Sequence, residues 1–215
     1  MAVRPGEVFA AALLARRAHV PTKLYCKHLL HFCAYCLATK EDRLVYGRQE
    51  RTRSFRTHVD SSWANDVETS RSWFGYNLCW GGAAFAFRAK LEPVVALSSR
   101  DAEAIAAVFA VKAILGFAII LRELRLTPGG PFPIWVDNKA TVDGAHSDKV
   151  ARDSRHQAMR LAWLRDVVRE ELVQMSLIPT GENTADIHTK VLSGPAHSAL
   201  RKKLMGMASS TPNPA

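Results

Sequence analysis

Cysteine is scarce in this chain, and that scarcity excludes a small disulfide-stapled fold. Four cysteines occur among 215 residues, at Cys26, Cys33, Cys36 and Cys79. Domains that depend on disulfides carry many more cysteines for their length, so a reducing compartment is the default expectation.

The sequence also predicts no secretory leader, and no internal repeat is seen in it. The first apolar run, residues 9–15, is followed by Arg16 and Arg17. A signal peptide has the opposite order, with basic residues first and a small-residue cleavage site last. The order of residues therefore predicts no signal peptide.

Long apolar runs are limited to one stretch, residues 104–121, which is apolar apart from Lys112 and Gly116. A membrane-spanning helix needs about 20 such residues. A lysine near the centre of a span costs about 2.5–3.5 kcal/mol on insertion scales. We therefore expect a helix buried against a sheet, and no membrane as a partner.

Basic residues outnumber acidic ones by 29 to 20, which gives a net charge of +9 and a pI near 9.7. Residues 1–56 carry a net charge of +7, residues 57–146 carry −1 and residues 147–215 carry +3. A basic chain with an acidic middle suits a metal-dependent enzyme that acts on nucleic acid. Uneven solvated faces would give the same charges, so charge alone leaves both interpretations open.

Zinc-ligand residue types cluster near the amino terminus, at Cys26, His28, His31, Cys33 and Cys36. They lie inside an apolar helical pattern, whereas a structural zinc site usually has a turn between its ligand pairs. The pattern favours core residues on one helix face over a zinc site.

The amino-terminal third predicts two helices followed by a β-rich stretch. Pro21 separates the helices, and Thr22 can cap the second. Gly81-Gly82 indicates a hairpin turn between the second and third strands. The predicted elements are helices over residues 6–19 and 22–38, a linker over 39–54, and strands over 55–60, 73–80 and 83–88.

Strands and helices alternate in the rest of the chain. Ser98 or Ser99 caps a long helix that runs to residue 124, and Asn183 or Thr184 starts a short late helix. The other predicted elements are strands over 134–137 and 172–178, helices over 138–145, 154–171 and 196–205, and a disordered tail after Met207. This order predicts a mixed-sheet α/β domain.

Four acidic residues stand where a sheet-based site collects carboxylates. One ends or interrupts the first strand, one lies in the first turn of the long helix, one ends a buried strand and one lies in the late helix: Asp60, Glu103, Asp137 and Asp186. Clustered carboxylates repel one another unless a cation lies among them. Mg²⁺ prefers oxygen ligands, and two such ions can drive phosphodiester hydrolysis. The acids are therefore our candidate catalytic and metal-binding residues.

Sequence motifs around these acids resemble the end of the reverse transcriptase region and the ribonuclease H domain of copia-type retrotransposon polyproteins. Residues 94–103 resemble the family's V-A-L-S-S-T-E-A-E-Y, and residues 136–140 resemble C-D-N-x-S-A. Residues 179–190 resemble V-P-T followed by A-D-I-F-T-K. Residues 60–66 are similar to D-A-D-W-A-G-D, and residues 71–76 fit R-S-T-S-G-Y. Because the motifs keep their order and spacing, their combination is specific where each motif alone would not be.

The resemblance continues upstream and covers about residues 4–206. Arg4-Pro5 is similar to an R-P-D-I start, and residues 35–46 are similar to Y-L-K-G-T and L-x-Y. The resemblance implies that residues 1–54 are a helical remnant of the reverse transcriptase region with a linker. It also implies that residues 55–206 form the RNase H-like domain and that residues 207–215 are a disordered tail. No Tyr-x-Asp-Asp, integrase or protease segment is found, so we expect a fragment without polymerase activity.

The resemblance implies an RNase H-like five-stranded mixed sheet flanked by helices. It also implies hydrolysis of the RNA strand of RNA–DNA hybrids by two Mg²⁺ ions, for which Mn²⁺ can substitute. It assigns the catalytic and metal-binding roles to Asp60, Glu103, Asp137 and Asp186. The implied compartment is the cytoplasm or a retroelement particle, with the nucleus as a further location.

Basic residues near the acids are candidates to hold phosphates. They are Arg152, Arg155, Arg160 and Lys190. Solvated helix faces explain them equally well. His188, where the family has Phe, is a weaker candidate for assisting proton transfer.

Several positions depart from the family pattern. Two acids are changed, a basic motif is lost, and the long helix is more apolar than an exposed face should be. The departures are Ser62, Asp101, the run His156-Gln157-Ala158-Met159, and the helix residues Val108, Phe109, Gly116, Ala118 and Ile119. Two interpretations follow: the rest of a reverse transcriptase covers helix 104–121, or the copy is decaying. An inactive relic that at most binds nucleic acid is therefore the alternative to the nuclease.

Overall fold

A five-stranded mixed sheet lies at the centre of the structure, a computed structural model that describes residues 4–47, 55–126, 129–147 and 155–207. The strands run along the chain as β1 (Arg56–Ser62), β2 (Trp73–Trp80), β3 (Ala83–Leu91), β4 (Phe132–Val136) and β5 (Val173–Leu177).

The sheet order is β3-β2-β1-β4-β5. The first three strands form an antiparallel meander, and β4 and β5 add to it in parallel with β1. Gly81 and Gly82 make the β2–β3 turn with positive φ angles of 63° and 88°, which glycine adopts without the steric cost of a Cβ. The predicted mixed α/β sheet is confirmed.

Six α-helices and three short 3₁₀ helices surround this sheet in the described ranges. The α-helices are α1 (Val8–Arg16), α2 (Lys23–Ala38), α3 (Ser99–Glu123), α4 (Lys139–His146), α5 (Arg155–Arg169) and α6 (Gly194–Leu204). The 3₁₀ helices span Pro5–Glu7, Thr180–Glu182 and Thr184–His188. The predicted late helix is thus one short 3₁₀ helix, and Asn183 caps it by accepting a hydrogen bond from the Ala185 amide at 3.1 Å.

Helix α3 forms much of the core on one face of the sheet. Ser98 caps it by accepting a hydrogen bond from the Asp101 amide at 3.1 Å. Eleven of its residues are buried, and Phe109 stacks on Phe74 of β2 with ring centroids 4.6 Å apart. The helix is long and apolar enough to cross a membrane, but buried core helices meet the same criterion. Its far end exposes Ile119 and Ile120, each by more than half of its side chain.

The other face of the sheet carries the 3₁₀ helix Thr184–His188 and α6. Phe74 points toward α3, so its neighbour Gly75 points the opposite way, because side chains alternate along a strand. A Cβ added at Gly75 would lie 2.3 Å from Cβ of His188. The absence of a side chain at Gly75 therefore lets the segment that carries Asp186 lie close to β2.

Helix α2 corrects one prediction. The Cys/His cluster does lie on a helix, but no residue of α2 is buried, and Cys26 and Cys33 are exposed. The interpretation of these residues as core is therefore wrong. Among the described residues, the one group of potential metal ligands lies elsewhere and contains neither cysteine nor histidine.

The amino-terminal segment packs on the sheet domain through charged and aromatic contacts. Arg201 of α6 is buried and forms ion pairs with Glu7 at 3.2 Å and Asp42 at 2.7 Å. Phe9 packs edge-to-face on Trp73 of β2, with centroids 5.2 Å apart. Residues 48–54, which belong to the predicted linker, and residues 208–215 of the predicted tail lie outside the described residues.

The close approach at Gly75 predicts a stability effect. Gly75→Ala forces backbone or His188 to shift and should lower the free energy of unfolding by about 1–3 kcal/mol. Gly116→Ala in α3 is the matched control, because a Cβ there meets nothing within 4 Å. Since alanine favours a helix over glycine, the control should gain up to about 1 kcal/mol. Urea unfolding curves measure both values, and equal stability of the Gly75→Ala variant and the native chain would contradict the packing described.

Candidate metal centre

The pairing of β1 with β4 brings the first two acids together. Val59 is the register partner of Val136, so the next residues, Asp60 and Asp137, are neighbours where the parallel pairing of the two strands ends. Asp60 lies within β1, because the strand continues to Ser62 instead of ending at residue 60 as predicted. Its side chain is buried, whereas Asp137 is half-buried. The register itself thus sets a pair of carboxylates side by side.

Asp186 reaches the same place from the 3₁₀ helix Thr184–His188. The side-chain amide Nδ2 of Asn183 donates a hydrogen bond to the Val59 carbonyl at 2.8 Å, which fixes the start of this helix on β1. The Thr184 amide also donates to Nδ1 of His58 at 3.1 Å. As a result, Asp60, Asp137 and Asp186 each present a carboxylate oxygen within 4.8 Å of the other two.

Glu103 lies beside this three-acid group rather than within it. It belongs to the second turn of α3, not to the first turn as predicted. Oε1 accepts a hydrogen bond from the Ser61 amide at 3.0 Å, whereas Oε2 is buried without a partner in the described residues. Burial, and then the charges of Asp60 and Asp137, raise the pKa of Glu103 well above its ordinary value.

The other acids show the same electrostatic crowding. Burial first, and the charge of Asp60 second, raise the pKa of Asp137 and bring the pKa of Asp186 to about 6. Each shift means that the neighbourhood disfavours another negative charge. A bound cation would relieve this repulsion, and Glu103 Oε2 is a buried acceptor to which no described residue donates. Carboxylate oxygens are also the ligands that Mg²⁺ prefers, so these residues fit a divalent cation.

Lys190 supplies positive charge inside the cluster. Its Nζ donates to Asp60 Oδ1 at 3.1 Å and to Asp186 Oδ1 at 2.7 Å, while Thr189 donates to Oδ2 of Asp60. Burial alone would lower the pKa of Lys190, but Asp60 and Asp186 outweigh it and raise the pKa above its ordinary value. The sequence suggested Lys190 as a contact for phosphate; the structure pairs it with two of the predicted metal ligands.

The remaining basic candidates are less available than their sequence positions suggested. Arg160 forms an ion pair with Asp101 at 2.8 Å, and Asp101 is buried. Arg152 and the side chain of Arg155 lie outside the described residues. Thus, of the four proposed phosphate contacts, the two that the structure describes both bind carboxylates.

The His188 side chain forms no hydrogen bond with the acids among the described residues. Its ring is fully buried, stacks on Phe87 at 6.3 Å, and leaves both nitrogens without hydrogen-bond partners in the described residues. Burial lowers the pKa of this imidazole to about 3. Since the ring neither reaches solvent nor bonds an acid, the structure argues against His188 as a candidate for assisting proton transfer.

The raised pKa of Asp186 predicts a pH dependence of stability in the metal-free protein. Between the ordinary value of 3.8 and about 6, the folded state holds a proton that the unfolded state has lost. The group's contribution to stability is therefore lost as pH rises through about 6, on the order of 2 kcal/mol. Comparison with Asp186→Asn, which cannot titrate at this position, isolates the effect from other groups.

Chemical unfolding in a chelator at pH 4.5 and pH 7.5 makes this measurement. The native chain should be more stable relative to Asp186→Asn at the lower pH. A difference between the two proteins that does not change with pH, or that grows in favour of the native chain as pH rises, would contradict the assignment.

Comparison with known proteins agrees with this architecture. No protein-family model matches the chain. The chain is 28% identical over 206 residues to the retrovirus-related Pol polyprotein from transposon TNT 1-94 of Nicotiana tabacum, covering 96% of the chain and 15% of that protein. It is 24% identical over 201 residues to the Pol polyprotein from transposon RE2 of Arabidopsis thaliana, covering 94% of the chain and 14% of that protein. The chain thus spans about a seventh of the length of these relatives.

A shorter likeness involves a different protein. Over 100 residues the chain is 31% identical to secreted RxLR effector protein 161 of Plasmopara viticola, which covers 46% of the chain and 70% of that protein.

Solved structures give the fold. LC11-RNase H1, isolated from compost, superposes with a TM-score of 0.50 in two structures, one of them in complex with an RNA/DNA hybrid. The two matches have 11% and 13% sequence identity, and they cover 63% and 64% of this chain and 94% and 93% of that protein. The five-stranded sheet and the relatives agree with the motif resemblance: the chain is a homologue of the Pol polyproteins of copia-type retrotransposons and has an RNase H-like fold.

Proposed function

We propose that this chain is a Mg²⁺-dependent endonuclease that hydrolyses the RNA strand of RNA–DNA hybrids as part of a retrotransposon polyprotein. The observation that carries the proposal is the convergence of Asp60, Asp137 and Asp186 to within 4.8 Å. They come from a strand, a strand end and a 3₁₀ helix that are far apart in sequence, so local chain geometry alone does not explain their meeting.

Asp60, Asp137 and Asp186 would hold the metal, with Glu103 as a fourth ligand through Oε2, which has no hydrogen-bond partner among the described residues. Two divalent ions, with Mn²⁺ as a substitute for Mg²⁺, would activate a water and stabilise the leaving oxygen of a phosphodiester. The chain's own part is to hold the ligands in place before the metal arrives. The Ser61 amide orients Glu103, and Asn183 fixes the helix that carries Asp186.

The fold likeness and the motifs support the proposed substrate. A solved RNase H1 of the same fold is described in complex with an RNA/DNA hybrid. The 2′-hydroxyl of the RNA strand is the chemical feature that distinguishes it from DNA. The chain's net charge of +9 would favour binding to any polyanion.

The polyprotein context supports two further parts of the proposal. Residues 1–54 would be the end of the reverse transcriptase region and residues 55–206 the nuclease domain. The rest of the reverse transcriptase would cover the apolar helix 104–121, whose Ile119 and Ile120 are exposed in this chain. The cytoplasm or a retroelement particle is the compartment in which such a polyprotein would act.

An inactive relic is the second candidate, and one observation favours it. Both described candidates for phosphate contacts are already paired with acids: Arg160 with Asp101, and Lys190 with Asp60 and Asp186. Such a relic would bind nucleic acid through its other basic residues without cleaving it.

Hybrid cleavage decides between the two candidates. The purified chain, given an RNA–DNA hybrid and Mg²⁺, should release RNA fragments, and Asp137→Asn should lower the rate by roughly a hundredfold or more because a ligand carboxylate is lost. Asp143→Asn is the matched control, since Asp143 is exposed on α4 and pairs with Lys139 outside the acid cluster. It should retain native activity.

Two results would contradict the nuclease proposal. One is product formation at equal rates by the native chain and Asp137→Asn. The other is no product from either protein, while both still bind the hybrid, which is the result that the relic predicts.

A further inference from the structure

The Lys190 side chain lies between Asp60 and Asp186, two of the metal ligands in the proposed function. Its Nζ lies 3.1 Å from Asp60 Oδ1 and 2.7 Å from Asp186 Oδ1. The second oxygen of Asp60, Oδ2, accepts a hydrogen bond from Thr189. Both carboxylate oxygens of Asp60 are therefore in use within the chain itself. A cation that binds Asp60 has to displace one of these donors or share its acceptor.

The two donors differ in how easily they can leave. Thr189 is fully buried, and its backbone amide donates to the Asp186 carbonyl at 3.1 Å, which ties it to the helix. The Lys190 side chain is 34% exposed and ends a flexible four-carbon stem. Only its ammonium group would have to move toward solvent. Of the two donors, Lys190 is thus the one that can move without disturbing the fold.

We infer that Lys190 is a positioning residue, an internal counter-ion that holds Asp60 and Asp186 together in the metal-free protein and competes with the metal for them. The inference rests on the proposed function, because it presupposes that these carboxylates bind a divalent ion. Before a metal binds, the ammonium group offsets the repulsion that pushes the two carboxylates apart. It leaves when a divalent ion, with its larger charge, takes its place.

This role predicts two opposite effects of Lys190→Met, which keeps much of the stem and removes the charge. Without metal, the acids lose their counter-ion, so the variant should melt at a lower temperature than the native chain in a chelator. In the presence of metal, the variant has no ammonium group that competes for Asp60 and Asp186. It should therefore bind Mn²⁺ roughly tenfold more tightly than the native chain, because such a competitor lowers the fraction of protein that is ready to bind the ion. If Lys190 had a purely structural role, its substitution would lower both the stability of the chain and its affinity for the metal.

Isothermal titration of Mn²⁺ into the whole chain, without nucleic acid, measures the affinity, and thermal unfolding in a chelator measures the stability. Lys90→Met is the matched control, because Lys90 is exposed on the edge strand β3, with β2 between it and β1. It removes the same charge and should change Mn²⁺ affinity by less than twofold. Lys190→Arg retains a cation and should stay closer to the native affinity than Lys190→Met does.

The outcomes separate this inference from the function on which it rests. If Mn²⁺ binds the native chain and binds Lys190→Met equally or more weakly, the role of Lys190 is wrong and the metal site stands. If Lys90→Met gains as much affinity for Mn²⁺ as Lys190→Met does, the gain comes from the lower net charge of the chain. The specific role of Lys190 is then also wrong. If Mn²⁺ binds neither the native chain nor Lys190→Met, the metal site and the counter-ion role both fail.

Discussion

Repulsion among carboxylates where the parallel pairing of β1 with β4 ends is the constraint on which the site depends. The register of these parallel strands makes Asp60 and Asp137 neighbours, and the helix that carries Asp186 adds a third charge. Burial strengthens the repulsion because there is less water to screen it. Burial, and then the charges of the neighbouring acids, raise the pKa of Glu103 and bring the pKa of Asp186 to about 6.

Much of the surrounding fold holds this unfavourable arrangement in place. Helix α3 fixes Glu103 against the Ser61 amide, and Asn183 bonds to the backbone of β1. Gly75 leaves room for His188, so the segment that carries Asp186 packs tightly on β2. Apolar packing and neutral hydrogen bonds thus balance the electrostatic cost of the acids, while Lys190 offsets part of their charge. A protein that keeps such a cluster buried has most to gain from a divalent cation.

Sequence reasoning predicted the elements whose signals are local. The Gly81-Gly82 turn, the Ser98 cap and the apolar strands all depend on neighbouring residues, and the structure confirms them. The four acids could be selected by their positions near strand ends and helix starts, together with the motif resemblance. Long-range packing could not be predicted: the pairing of Lys190 with Asp60 spans 130 residues. The exposure of α2 was missed because an apolar helical pattern does not say which face, if any, meets a core.

The central claim is that the acids form a site for a divalent cation, and thermal unfolding with and without Mg²⁺ tests it most directly. A ligand that binds only the folded state raises its stability, by about 2.7 kcal/mol at a hundredfold excess over the dissociation constant. For a chain of this size that corresponds to a rise in melting temperature of roughly 5 °C or more. The account predicts such a rise for the native chain and little change for Asp60→Asn. Equal melting temperatures with and without Mg²⁺ for the native chain, or the same rise in both proteins, would contradict it.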